Sequence, residues 1–158
     1  MSKRNNIIFL CTGNSCRSPM AEGIARKVFT QYGLKYDISS YGTLNIGANP
    51  PAEYAIELCN AENIDITHHR SQQLSLPAAE NADLILVMEH AHLNWIEQNF
   101  GRDISAKAFL ITEYGNPHPI GEEIPDPIGK SINMYREIFN MLKIEIERIA
   151  RYEFTRND

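Results

Sequence analysis

Residues 6–18 read N-I-I-F-L-C-T-G-N-S-C-R-S, and the chain runs on from Ser18 as S-P-M-A-E. The unbroken apolar run Ile7-Ile8-Phe9-Leu10 has the character of a strand covered on both faces and predicts one over 6–11. Ser18 and Pro19 open a helix, the serine as its cap and the proline in a first turn where its missing N–H costs nothing. Strand, short loop and helix in this order point to an α/β fold. They also put a thiol, Cys11, at a strand end and a guanidinium, Arg17, at a helix N-terminus.

The same alternation continues outward. A helix is predicted over 19–32, with Met20, Ile24, Val28 and Phe29 on one face and Gly33 as its stop. Strands follow over 36–41, 84–88 and 108–111, and helices over 51–63, 90–100 and 132–152, the last with Ile138, Leu142, Ile146 and Ile149 inward. Strands alternating with helices imply a doubly wound, four-stranded parallel sheet with helices on both faces, in a single domain over 1–158. In such sheets ligands sit beyond the carboxyl ends of strands at a switch point, where the loop after the first strand lies. The charged residues from Arg151 to Asp158 are expected to fray.

The loop 11–18 contains what is needed to hold a tetrahedral oxyanion in front of sulfur. A thiol attacks only as thiolate and needs a positive surrounding to ionise near neutral pH. Converging backbone N–H groups of Thr12, Gly13, Asn14, Ser15, Cys16, Arg17 and Ser18, closing on a helix N-terminus, supply it. Gly13 is expected to take angles closed to other residues, and Asn14 to tolerate left-handed geometry. Arg17 offers a planar fork for two oxygens, and Ser18 a hydroxyl for the Cys11 sulfur as well as a helix cap. The spacing Cys-x5-Arg is weak alone; its place between strand and helix makes it specific. G-x-G-x-x-G is absent and no Gly-Lys-Ser/Thr follows the loop, so a nucleotide cradle is disfavoured.

Composition sets outer limits. At 43% apolar and 22% charged, 158 residues suffice for one domain with a real core, and a formal charge of −5 argues against nucleic acid as partner. No stretch reaches membrane-spanning length, and the short lead Met1 to Asn6 does not read as a signal peptide, so a cytoplasmic protein is expected. Cysteines at 11, 16 and 59 form no disulfide framework and no zinc spacing; they read as thiols, Cys59 in the core.

These motifs resemble those of the low molecular weight protein tyrosine phosphatase family. After C-T-G-N-S-C-R-S come S-P-M-A-E-G, then S-S-Y-G-T at 39–43, N-P-P at 49–51, A-D-L-I-L-V-M at 82–88 and D-P-I-G at 126–129, in the family's order and over nearly the whole chain. The resemblance implies Cys11 as nucleophile, Arg17 as phosphate clamp and Asp126 as general acid. It implies Asn14, Ser40 and His68 as braces of the loop, and a reversible Cys11–Cys16 disulfide as one use of Cys16, a loop-filling thiol being the other. Pro125 and Pro127 stiffen the acid loop, and Ile124 and Ile128 are expected to desolvate the carboxyl and raise its pKa. Glu122 and Glu123 read as a solvated stretch. His90, His92 and His118 show no readable partner. No metal or other cofactor is called for, because Arg17, the loop amides and the helix terminus carry the positive charge.

Substrate choice divides the resemblance. The family default is phosphotyrosine in a protein or peptide, hydrolysed through a phosphocysteine. Tyrosine-specific relatives carry aromatic residues directly after the Asp-Pro, where this chain has Ile128, and a bulky apolar residue where it has Ser15. A small hydroxyl residue at 15, F-G-R at 100–102 and D-P-x-G-x-S-I over 126–132 resemble the protein arginine phosphatases, so phosphoarginine stands as the alternative. An arsenate reductase would need a resolving cysteine after the third strand, where M-E-H-A-H-L-N-W-I has none. A catalytically silent phosphoresidue-binding module would be favoured by loss of Cys11, Arg17 or Asp126, and all three are present. The oligomeric state is not legible.

Overall fold

The apolar run at 7–10 does become a central strand. In the computed structural model, which describes residues 5–157, β1 (Asn5–Cys11) lies between β2 (Tyr36–Gly42) and β3 (Leu84–Val87), with β4 (Ala108–Leu110) outside β3. All three pairings are parallel, Ile8 standing opposite Ser39 on one side and Ile85 on the other. Residues 1–4 and 158, on which the readings of the lead and of the last frayed position partly fall, lie outside the described residues.

Alternation along the strands explains why helices cover both faces. Ile7, Phe9, Leu84 and Leu86 point into one core with α1 (Arg17–Gln31), α2 (Glu53–Ala61) and α6 (Ile132–Arg156). Ile8, Leu10, Ile85 and Val87 point into the other, against α3 (Leu76–Asn81), α4 (His90–Phe100) and α5 (Arg102–Ser105). Each such side chain, wholly removed from water, contributes about 1.5–3 kcal/mol. The doubly wound sheet expected from the sequence is therefore what forms. The strand order reverses between β1 and β3, so the loop after Cys11 and the loop after Val87 meet at the switch point.

Three differences from expectation appear. The short helices α3 and α5 were not anticipated, and α2 begins at Glu53, after the two prolines rather than on one. The third difference is the C-terminus, which stays helical through Arg156. Glu153 continues the inward stripe of Ile146 and Ile149 and is buried, accepting hydrogen bonds from the hydroxyls of Tyr36 at 2.9 Å and Tyr114 at 3.1 Å. Arg156 pairs with it at 3.1 Å. Burial pushes the Tyr36 phenol up to about 12 and that of Tyr114 higher still, so both hydroxyls keep their hydrogens and donate. A stretch expected to fray thus contains one carboxylate that anchors the helix end.

Glu153→Ala leaves two partly buried hydroxyls and Arg156 without their acceptor, a loss of about 2 kcal/mol. Urea unfolding is expected to show a lower midpoint at unchanged slope.

Candidate active site

Cys11 ends β1 with its thiol buried, and the chain turns at once. The turn is made by Asn14, whose φ of 54° is the left-handed geometry expected of it. Gly13 does not share that role: its φ is not left-handed, and a Cβ there would meet only Ser15 Oγ at 3.6 Å and Ile46 Cδ1 at 3.8 Å. The glycine the loop requires is Gly42 at the end of β2, where a Cβ would lie 2.7 Å from the Thr12 carbonyl and 3.1 Å from Asn14 Cβ.

Asn14 uses every polar group it has. Its N–H donates to Cys11 Sγ at 3.3 Å, and its side-chain amide donates to Ser18 Oγ at 2.8 Å and Ser40 Oγ at 3.1 Å. Its side-chain oxygen accepts from the Gln72 N–H at 3.0 Å. Ser40 in turn donates to Glu22 at 2.7 Å, so a carboxylate on α1 stands behind the brace. Ser18 Oγ lies 3.0 Å from Cys11 Sγ and 3.3 Å from the Tyr41 carbonyl; with Asn14 donating into the oxygen, its single hydrogen serves one or the other. An anionic sulfur would take it.

The helix cap expected of Ser18 is not formed. α1 begins at Arg17, Cys16 holds the N-cap position, and Met20 N–H closes the first turn on the Cys16 carbonyl at 3.0 Å. Ser18 is free for sulfur because the helix starts two residues before the proline.

Arg17 is buried to 1% exposure. Nη1 donates to Glu89 Oε2 at 2.6 Å and to the Ile124 carbonyl at 2.7 Å; Nη2 reaches Thr12 Oγ1 at 3.4 Å and lies 3.7 Å from Asp126 Oδ2. Its Nε is buried with no partner, the only such side-chain atom among the described residues. A buried N–H left unpaired costs about 1–3 kcal/mol, which an arriving oxyanion would return.

Asp126 faces this guanidinium but not in the apolar surrounding expected. Ile124 turns into the core, Ile128 is half exposed, and the carboxylate itself is open to solvent. Its Oδ1 accepts the Ile128 N–H at 3.0 Å, which fixes the group's direction. Cys16 Sγ lies 3.8 Å from the same oxygen, and burial, with Cys11 and Asp126 nearby, pushes its thiol up to about 12. Cys16 therefore stays a thiol, while thiolate is the form that resolves disulfides. Glu123 is exposed as expected, yet not idle: it accepts the His90 N–H at 2.7 Å, and that bond holds its carboxyl below the usual range. The acid loop is docked on α4 by it.

His68 does not brace the loop. The segment turns at Thr67 and His68, with Asp65 accepting the Thr67 N–H at 2.9 Å, so His68 sits exposed at the tip. The ring that reaches inward is His69, whose Nε2 is 2.9 Å from the Asn14 carbonyl. Two-residue alternation, which would turn His69 away, holds only for extended chain.

Glu89 and His92, absent from the sequence expectation, complete the site. Glu89 follows β3 at the switch point, and its N–H donates to His92 Nδ1 at 3.1 Å, while His92 Nε2 is 2.9 Å from Thr12 Oγ1. The position of an acidic residue just past a strand end was the available signal. Burial first, then the Arg17 charge, lowers His92 from its ordinary 6.5 to about 4. The backbone carbonyl of half-buried Ser15 accepts the Ala52 N–H at 2.8 Å, tying the loop to the start of α2.

A buried thiol, a guanidinium with a free N–H and a solvent-facing carboxylate converge at one sheet end, and the chemistry they allow is phosphoryl transfer to sulfur. Comparison with known proteins agrees. The profile described as low molecular weight phosphotyrosine protein phosphatase matches residues 6–157. The protein-arginine-phosphatase of Bacillus subtilis (strain 168) is 33% identical over 147 residues, 92% of this chain and 95% of that one. The low molecular weight protein-tyrosine-phosphatase Wzb of Escherichia coli (strain K12) is 32% identical over 148 residues, 93% of this chain and 91% of that one. A solved structure of a YwlE arginine phosphatase mutant with a phosphorylated active-site serine superposes with a TM-score of 0.87 at 32% identity, covering 92% and 93% of the two chains. The chain belongs to the low molecular weight phosphotyrosine protein phosphatase family.

His69→Ala is expected to lower kcat about tenfold by loosening Asn14, and His68→Ala to leave it unchanged; the comparison on one aryl phosphate checks both. Burial of His92 links stability to pH. The unfolded chain binds a proton below about pH 6.5 and the folded chain only below about pH 4, so its contribution to stability is whole above 6.5 and is lost as pH falls to 4. In His92→Gln the proton uptake on unfolding across that window is expected to drop by about one, read from urea midpoints against pH.

Proposed function

We propose that the protein is a phosphatase acting on phosphotyrosine in proteins through a phosphocysteine intermediate. The observation that carries this is the arrangement around Cys11 and Arg17: sulfur within reach of Ser18 Oγ at 3.0 Å and the Asn14 N–H at 3.3 Å, beside a buried guanidinium with an unpaired Nε. The Cys11 thiolate attacks phosphorus, the S–P bond forms and the P–O bond to the substrate breaks. Asp126 gives its proton to the departing oxygen. The resulting carboxylate then takes a proton from water as that water attacks phosphorus, releasing inorganic phosphate and restoring the thiolate. Arg17 and the amides of Thr12 through Ser18 hold the phosphoryl oxygens throughout, without moving, which is where most of the rate is gained. Asn14, Ser18, Ser40 and His69 keep that cradle in shape.

Phosphoarginine is the second reading, favoured by Ser15 and by similarity to the Bacillus subtilis protein-arginine-phosphatase. A small hydroxyl residue at the mouth leaves room and a polar contact for a guanidinium, and half-exposed Ile128 forms only one apolar wall for a phenyl ring. A reductase is not favoured, since the segment after β3 carries no further cysteine. The setting proposed is the cytoplasm: the three cysteines are free and buried, and among the described residues no helix is long and apolar enough to cross a membrane. The partners proposed are phosphorylated proteins, neither nucleic acid nor membrane.

The test is kcat/KM on matched phosphotyrosine and phosphoarginine peptides, with Cys11→Ser as blank. Turnover of phosphotyrosine at least tenfold above phosphoarginine is expected; the reverse ratio would give the second reading, and residual turnover by Cys11→Ser would reject the nucleophile.

A further inference from the structure

Thr12 follows the nucleophile directly, and its hydroxyl is held by an unusual set of neighbours. Glu89 N–H donates to His92 Nδ1 at 3.1 Å. A ring nitrogen that accepts has no hydrogen, so the hydrogen of the imidazole is on Nε2. Nε2 stands 2.9 Å from Thr12 Oγ1, and the bond therefore runs from ring to hydroxyl. Arg17 Nη2, which can only donate, also points at Oγ1, at 3.4 Å. A threonine oxygen has two acceptor positions and one hydrogen. Both acceptor positions are taken, and no acceptor for the hydrogen is found among the described residues.

We infer that the Thr12 hydroxyl, oriented by His92 from the first turn of α4, is a further hydrogen-bond donor to the phosphoryl group. The inference rests on the phosphatase reading and adds a side-chain donor to a cradle otherwise made of amides and Arg17. A phosphoryl group brings only acceptors, and a hydroxyl whose oxygen is already occupied can respond in one way. The placement fits: Thr12 adjoins Cys11 in sequence, and the Arg17 Nη2 that touches it lies 3.7 Å from Asp126 Oδ2. Glu89 has a second part in the arrangement. Its carboxylate takes Arg17 Nη1 at 2.6 Å, which leaves Nε and Nη2 as the edge that faces the loop. His92 and Glu89 are thus positioning residues; Thr12 touches the reacting group itself.

The experiment measures competitive inhibition by orthovanadate, and kcat/KM on an aryl phosphate, in the full chain and in Thr12→Val, Thr12→Ser, His92→Leu and His92→Gln, with urea unfolding alongside. Thr12→Val is expected to weaken vanadate and lower kcat/KM about ten- to a hundredfold, the range for a bond to a charged group. Thr12→Ser should restore both to within about threefold. His92→Leu should weaken vanadate, and His92→Gln, whose amide N–H can replace Nε2–H, should recover it. Vanadate affinity kept by Thr12→Val, or lost equally by Thr12→Ser in a folded protein, would overturn the inference, because the methyl and not the hydroxyl would then matter. A wild-type chain that neither binds vanadate nor turns over aryl phosphate would overturn the phosphatase reading beneath it.

Discussion

A guanidinium with 1% exposure sits where four parts of the chain meet, and the site exists in this form because that charge must be compensated. Removing an ion from water costs several kcal/mol even after relaxation, and only close, well-directed partners repay it. Arg17 finds them in Glu89 after β3, in the Ile124 carbonyl of the acid loop and in Thr12 of its own loop. Each of these bonds draws a different loop to the same point. The loop after Cys11, the switch-point loop and the loop carrying Asp126 are therefore organised around one cation, and its Nε is left without a partner among the described residues.

The sulfur is controlled from the other side. Asn14 takes a left-handed conformation that is unfavourable for most residues; its backbone N–H then reaches Cys11, and its side-chain amide joins Ser18, Ser40 and Gln72. A carboxylate accepts but has no N–H to donate, which is why an aspartate in the same turn would fail to hold Ser18 and Ser40 together. Gly42 permits the turn to lie against β2, and Glu22 holds Ser40 from α1. Strain in the loop is thus offset by hydrogen bonds to elements whose own packing does not depend on the site.

What could be read beforehand followed local rules. The buried run at 7–10, the placement of Cys11 and Arg17 between strand and helix and the inward stripe of the last helix depend on residue type and short spacing, and all appear where expected. The misreadings share one cause. Ser18 looked like a cap, Gly13 like the special angle, His68 like the brace and the last residues like a frayed end. In each case a neighbouring residue had an equal local claim: Cys16 for the cap position, Asn14 for the angle, His69 for the brace, Glu153 for the inward stripe. Short-range pattern does not rank such neighbours. Contacts across the fold do.

The sequence alone determined the fold class and the place of the Cys11 sulfur and the Arg17 guanidinium between strand and helix, because hydrophobic periodicity and an eight-residue loop are local properties that tertiary context seldom reverses. Tertiary structure decided which groups hold those atoms. Glu89 and His92 are 72 and 80 residues away from the Arg17 and Thr12 they touch. That juxtaposition arises only when β1 and β3 pair side by side and the strand order reverses between them, and it is a fact of packing that no stretch of the chain contains.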